Sequence, residues 1–234
     1  MMPVGGGRYR PLHLNIMQDS QINNVIKILR RELAVGTMPI VSHLAADQRN
    51  PFVILISTLL SLRTKDEVTA VAAERLLEIA ATPEEMVGIP LTKIEKAIYP
   101  VGFYHVKART IHSVCRELIE RFDSQVPANL DDLLSIKGVG RKTANLVVAL
   151  AYGMDAICVD IHVHRISNRL GYVKTGTPEK TELALRDKLP RRYWIIYNTL
   201  LVAFGRRTCK PVSPLCSQCP LYKYCGRVGI TKSR

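Results

Sequence analysis

Ser135-Ile136-Lys137-Gly138-Val139-Gly140-Arg141-Lys142-Thr143-Ala144 is the stretch on which the architecture of this chain turns. Two glycines stand one residue apart, and an amine follows at the head of the apolar run Ala144-Asn145-Leu146-Val147-Val148-Ala149-Leu150-Ala151. That run has the composition and length of a buried helix. On the other side Asn129 with Asp132 caps a short helix, so the segment reads as helix, glycine turn, helix. Gly138 and Gly140 permit a tight turn and close backbone approach, with amide N–H groups aimed at a phosphate. Lys142 falls on the first turn of the second helix.

Helical signals continue in both directions. Ile22, Val25, Ile26, Leu29 and Leu33 recur at helical spacing toward Gly36. Asn50-Pro51 is a cap with proline at the first helical position, opening Phe52 to Leu60, which is apolar nearly all round. Its β-branched residues make a strand the rival, but the cap favours a helix. A polar break from Ser61 to Asp66 precedes a helix reaching about Ile79. Thr82-Pro83-Glu84-Glu85 and Thr92-Lys93-Ile94-Glu95 read as capping boxes. Gly102 to Lys107 reads as a loop into a helix from about Ala108 to Phe122. Asp160 caps a helix through Leu170, Thr177-Pro178 starts another, and Tyr193 to Phe204 forms the last. Nothing alternates with period two, so the expected class is all-α, without repeats or a long linker. Residues 1–20 read as a flexible basic N-terminal extension.

The chain has 234 residues, 47% of them hydrophobic, which supports a folded core. Its 33 Lys and Arg outnumber 20 acidic residues, a formal charge of +13. That excess calls for a polyanionic partner, nucleic acid ahead of an acidic membrane, with a merely basic protein as the plain alternative. No apolar run reaches the roughly 18 residues of a membrane span. Met1 to Arg10 lacks an apolar signal core, so an intracellular location is expected.

Four of the six cysteines crowd near the C-terminus: Cys209, Cys216, Cys219 and Cys225 are separated by six, two and five residues. In a reducing compartment such a group binds metal more readily than it forms disulfides. Tetrahedral zinc commonly uses two close Cys-x₂-Cys pairs, and only Cys216 and Cys219 form one here. Uneven single cysteines suit an iron–sulfur cubane, in which each thiolate reaches a different iron. Spacing leaves both open, and unliganded thiols as well.

Lys142 is either a solvated surface lysine or a nucleophile. The helix N-terminus, Arg141 and Lys137 all favour its neutral amine, the form that attacks an electrophilic carbon. Asp160 is an N-cap on its face, and gains a catalytic meaning only if the fold brings it to Lys142. His162 and His164, two apart, do not share a helical face and make no metal pair. Arg206, Arg207 and Lys210 fit a phosphate-binding face as a group.

Gly138-Val139-Gly140-Arg141-Lys142-Thr143-Ala144, then Val159-Asp160-Ile161-His162, then the Cys-x₆-Cys-x₂-Cys-x₅-Cys tail together resemble the endonuclease III family of helix-hairpin-helix DNA glycosylases. The likeness runs from about Pro51 to Arg227, with the family's eighteen positions between lysine and aspartate. It implies two lobes. A six-helix barrel lobe would span 44–154, and a second would join 21–43 to 155–234 with a 4Fe–4S cluster. It implies Lys142 as nucleophile, Asp160 as catalytic partner, and the four C-terminal cysteines as cluster ligands. Gly138, Gly140 and Thr143 would touch DNA, while Arg63 and Phe103, with Tyr104 adjacent, match the side chains that fill the stack behind a flipped base. The implied protein is a bifunctional DNA glycosylase and AP lyase for oxidised pyrimidines. Its partner would be double-stranded DNA with a damaged base or abasic site; it would work as a monomer in a prokaryotic-type cytoplasm, at the nucleoid.

The chain departs from that family pattern in places. Arg63 stands where glutamine is common, Ile161 where threonine is common, and Lys137 where proline is usual. The adenine-specific branch needs an acid at the position of Thr58, and a thymine–guanine mismatch glycosylase generally lacks the lysine. A non-catalytic DNA-binding module with a metal staple is the rival from another class.

Overall fold

Asn50 sets the start of the central helix. Its side-chain oxygen accepts the amides of Phe52 and Val53 at 2.9 and 3.3 Å, and Pro51 takes the first helical position, where no amide is missed. The helix it opens, α3 (Pro51–Ser61), is buried at every residue from Ile54 to Leu60, as a run apolar on all faces requires. In this computed structural model residues 17–35, 38–47 and 49–234 are described, and no strand occurs among them. Before α3 come α1 (Ile22–Val35) and α2 (Ile40–Asp47). After it follow α4 (Asp66–Ile79), α5 (Pro83–Gly88), α6 (Leu91–Ile98), α7 (Tyr104–Phe122), α8 (Leu130–Ser135) and α9 (Arg141–Tyr152). The chain closes with α10 (Ile161–Leu170), α11 (Pro178–Lys188) and α12 (Trp194–Arg207). The class is all-α, as the sequence implies. Residues 1–16 of the N-terminal extension lie outside the described residues, as does Gly36, but Met17 is 1% exposed and Asp19–Gln21 form a short 3-10 helix, so residues 17–20 belong to the fold and not to a flexible extension.

Burial divides into two hydrophobic cores. The first runs from Val41 to Ala151 around α3, which packs against α4, α7 and α9. The second joins Met17 and α1 to α10, α11 and α12, and ends at Cys209 and Leu221. The chain passes between them in an extended segment whose side chains alternate: Ala156 and Cys158 enter the first core, Ile157 and Val159 the second. Polar ties cross the same boundary. Ser42 Oγ meets Thr199 Oγ1 at 2.9 Å, and Asn198 Nδ2 donates to the Cys158 carbonyl at 3.2 Å.

Several local expectations need correction. Thr92 is not a cap, because the Pro90 carbonyl already accepts the amides of Lys93 and Ile94, and α6 begins at Leu91. Glu95 pairs instead with His105. At the earlier box Thr82 accepts the Glu85 amide, but the Glu85 carboxylate reaches back to the Ala81 amide rather than to that of Thr82. The last long loop before α7 is shorter than expected, since the helix starts at Tyr104. Nothing in the sequence reading foresaw α2.

Candidate active site

The hairpin is built as its two glycines require, but they do different things. Gly138 has φ +97°, a left-handed backbone, and a Cβ there would lie 2.6 Å from Thr110 Cγ2. Gly140 has an ordinary extended backbone and caps α9, and a Cβ on it would meet nothing within 4 Å. The space beside Gly140 is therefore open to a ligand rather than claimed by the fold. Val139 and Ile136 are buried beneath the turn, which leaves its outer side free. The hairpin is held to α7 by Glu117, which accepts the Lys137 amide at 3.0 Å, and by Arg121, which donates to Ser135.

Lys142 sits on the second residue of α9, in a cleft of about 1270 Å³. The lining runs along Leu59 and residues 61–67, with Phe103 and Lys107, and includes Val159 to His162 with Arg206. Asp160 lines that same cleft. Both α10 amides, of His162 and Val163, bond one of its oxygens, Oδ1, at 2.8 and 2.9 Å, so the second oxygen is not used by the cap. The fold thus sets Lys142 and Asp160, eighteen positions apart in sequence, on the lining of one cleft, and Cys158 Sγ donates to the Lys142 carbonyl at 3.6 Å. His162 also faces the cleft, held below the usual imidazole value by burial against the opposing pull of Asp160. His164 turns away to Thr181 and Asn168.

Arg63 and Phe103 stand at the mouth. Both are non-glycine residues with left-handed backbones, φ +54° and +60°, and Phe103 is 62% exposed. The Arg63 guanidinium lies 5.7 Å from the Phe103 ring centre. Strain of this kind persists where surrounding contacts enforce it. Tyr104 is less available: it packs against the first core and edge-on to Tyr99. Thr143 is 1% exposed, so its side chain is closed off from any DNA contact, contrary to expectation. Arg206 and Arg207 also depart from expectation, since they are committed to Asp66 and Glu32. Thr58 is fully buried and donates to the Ile54 carbonyl, so it offers no acid to the cleft.

Sequence reasoning missed two groups. Glu182 of α11, 4% exposed, takes Arg141 Nε and Nη2 at 2.8 and 3.0 Å, Arg186 Nε at 3.0 Å and Asn145 Nδ2 at 3.2 Å. It ties the first turn of α9, beside Lys142, to the second core. Lys107 is the other, an 8% exposed lysine on the cleft wall. Neither carries a spacing signal, because the partners come from distant helices.

The four C-terminal thiols converge on one apolar cavity with Ile166, Leu170, Phe204 and Leu221, and none is in a disulfide. Burial, then the neighbouring sulfurs, pushes the Cys219 thiol up to about 12, and Cys225 is raised for the same first reason. A metal centre that takes these sulfurs as thiolates offsets the cost of ionising them in this apolar cavity. Arg169 Nη1 and the Arg227 amide each donate to a sulfur at 3.4 Å, as around a negatively charged cluster. The donor set therefore fits an iron–sulfur cluster.

An amine at the head of a hairpin helix, a helix-capping carboxylate in the same cleft, and room for a backbone beside Gly140 define the class of helix-hairpin-helix DNA glycosylases. Comparison with known proteins carries this further. Residues 56–191 match the HhH-GPD superfamily base excision DNA repair protein family, and residues 209–225 match the iron–sulfur binding domain of endonuclease III. Endonuclease III of Thermotoga maritima is 47% identical over 178 residues, covering 76% of this chain and 84% of that protein. Endonuclease III homolog 1, chloroplastic, of Arabidopsis thaliana is 42% identical over 183 residues, but this chain spans only 48% of its length. A solved endonuclease III–DNA covalent intermediate superimposes with a TM-score of 0.80 at 35% identity, covering 89% of this chain and 96% of that one. This chain belongs to the endonuclease III family of the HhH-GPD superfamily. It is a base excision repair DNA glycosylase and AP lyase, and its cofactor is a 4Fe–4S cluster.

Proposed function

We propose that the protein excises oxidised or otherwise damaged pyrimidines from duplex DNA through a covalent bond to Lys142. The damaged nucleotide leaves the stack, at a cost of a few kcal/mol that damage itself lowers. The Lys142 amine attacks C1′ of the sugar and the base departs with the bonding electrons. Asp160 accepts a proton from the attacking amine and stabilises the positive charge that develops. The C1′–O4′ bond then breaks, O4′ takes up a proton, and the resulting Schiff base acidifies the C2′ proton. Its removal expels the 3′ phosphate by β-elimination, which cuts the strand; water as the nucleophile offers no such second step. One observation carries this: Lys142 and Asp160, far apart in sequence, line one cleft whose mouth bears Arg63 and Phe103.

Around that centre, Gly138 and Gly140 present the hairpin to a DNA phosphate. Arg63 and Phe103 enter the stack where the base has left, with Tyr104 behind them. Cys209, Cys216, Cys219 and Cys225 hold the cluster, which when bound ties the C-terminal loop into the second core. Two lobes, 44–154, and 21–43 with 155–234, flank the DNA, with Val41, Ala156 and Cys158 reaching across those bounds into the first core. An abasic site serves as substrate for the second step alone, and the protein works as a monomer inside a prokaryotic-type cell, where the nucleoid is. No helix among the described residues is long and apolar enough to cross a membrane.

Borohydride trapping tests the proposal. Wild-type protein should form a covalent adduct with duplex carrying thymine glycol or an abasic site. Lys142→Gln should form none while still binding the duplex. An adduct that persists in Lys142→Gln would overturn the assignment, and no adduct in either protein would favour a non-catalytic binding module.

A further inference from the structure

The cleft holds a second lysine that the chemistry does not use. Lys107 lies on the first turn of α7, and all three of its ammonium donors go to oxygens of one short turn rather than to a carboxylate. Nζ reaches the Leu60 carbonyl at 2.6 Å, the Leu62 carbonyl at 2.5 Å and Thr64 Oγ1 at 2.9 Å. Leu60 lies in the last turn of α3, which ends at Ser61, where carbonyls lack helical partners and a cation is favoured. Between Leu62 and Thr64 stands Arg63, in its left-handed conformation. The ammonium therefore clamps the turn on both sides of that strained residue.

The same residue holds the facing turn. The Lys107 backbone amide donates to the Phe103 carbonyl at 3.0 Å, which fixes the left-handed Phe103 as the lead-in to α7. The two turns touch directly: a Cβ on Gly102 would lie 3.0 Å from the Arg63 carbonyl oxygen. Lys107 is thus joined to both turns, by its backbone to one and by its side chain to the other. Their exposed side chains meet above it as the guanidinium–ring pair.

We propose that Lys107 is the positioning residue of the inserted pair: it sets Arg63 against Phe103, and so controls entry into the DNA stack without taking part in chemistry at Lys142. This rests on the reading of Arg63 and Phe103 as the side chains that enter the stack. Burial, and then the charge of Lys142, pushes the Lys107 ammonium down to about 8. At neutral pH it keeps its third proton, and all three protons are bonded. A methionine of similar length would take the ammonium from two carbonyls and a hydroxyl, leaving the Leu62 carbonyl only the Thr64 hydroxyl at 3.3 Å, and release the Arg63 turn.

The test compares two substrates on the cluster-loaded protein, in single-turnover borohydride trapping. One is an abasic site in duplex; the other is the same abasic strand alone, which has no stack to enter. Lys107→Met should slow the duplex reaction by about tenfold to a hundredfold, the size expected for charged hydrogen bonds, and leave the single-strand rate close to wild type. Thr64→Val, which removes one acceptor and keeps the shape, should move the duplex rate alone in the same direction by less. It also decides the matter if Lys107→Met does not fold. A 2-aminopurine placed opposite the site should brighten on binding wild type and not on binding Lys107→Met. Equal slowing on both substrates by Lys107→Met, or slowing on neither, would overturn the proposal. The combined Arg63→Ala and Phe103→Ala variant separates the two layers. If it cleaves duplex at the wild-type rate, the insertion reading fails and takes the Lys107 role with it. If it shows the duplex-only loss and neither Lys107→Met nor Thr64→Val does, only the Lys107 role fails.

Discussion

Replacing Glu182 by alanine probes the tie between the hairpin helix and the second core. The carboxylate is 4% exposed and receives donors from Arg141, Arg186 and Asn145. Its removal leaves two guanidinium groups facing one another, and the fully buried Asn145 amide short of an acceptor. Breaking a buried ion pair by deleting one partner costs about 3–5 kcal/mol. Arg141 is 41% exposed, so water recovers part of its solvation. The loss should therefore fall near the lower end, about 3 kcal/mol, a large part of a typical total of about 5–15 kcal/mol. Glu182→Gln keeps the shape and loses the charge, and should cost about 2 kcal/mol. Urea unfolding at neutral pH measures both, and a double-mutant cycle with Arg186→Leu isolates the pair, with a coupling of about 1–3 kcal/mol. A loss below about 1 kcal/mol, the range of a surface ion pair, or no coupling to Arg186, would refute the reasoning.

Asp160→Asn separates capping from catalysis. Asparagine caps as well as aspartate, so stability should change by less than about 1 kcal/mol while turnover falls by about a hundredfold or more; equal loss in both would make Asp160 a cap alone. The Asp66–Arg206 pair joins α4 to α12 beside the cleft. Burial pushes the Asp66 carboxyl up, but the Arg206 hydrogen bonds, the Ile40 amide and the charges of Arg206 and Lys142 outweigh it and hold it below its ordinary value. A carboxylate held low contributes stability above the ordinary carboxylate range and loses it as pH falls through the lowered value. Wild type and Asp66→Asn should therefore differ in unfolding free energy at neutral pH and converge in acid. Cys219→Ser should lose iron, measured by metal analysis, and expose the segment after Thr208 to protease while the first core stays intact. Binding to any duplex should weaken steeply with salt, with log affinity falling linearly in log salt concentration.

The hairpin, its lysine, the aspartate cap and the cysteine spacing were legible because each is local. A cap needs only its neighbours within three residues, and Asn50, Asn129, Asp160 and Thr177 all cap as their sequences imply. Positions set by tertiary packing were not legible. Helix α2 has no cap of its own that sequence displays; it is fastened by Asp66, which accepts the Ile40 amide, and by packing on α3 and α4. Thr143 looks like a DNA contact beside Lys142, yet one step around a helix from the half-buried Lys142 is a buried residue. Arg206 and Arg207 read as free cations because their acidic partners lie on α4 and α1. Lys107 was absorbed into a supposed loop, and only the fold reveals that three oxygens surround it.

The alternating passage from Ala156 to Val159 has a consequence for modularity. Each of its side chains is stitched into a different body, and Asp160 is the first residue beyond the stitching. Lys142 belongs to one body and Asp160 to the far edge of the seam, so the pair exists only while both bodies are sewn together in register. If Lys142 and Asp160 act together as proposed, neither half inherits the activity alone, and a graft that transplants the hairpin without the seam carries an amine but no partner for it.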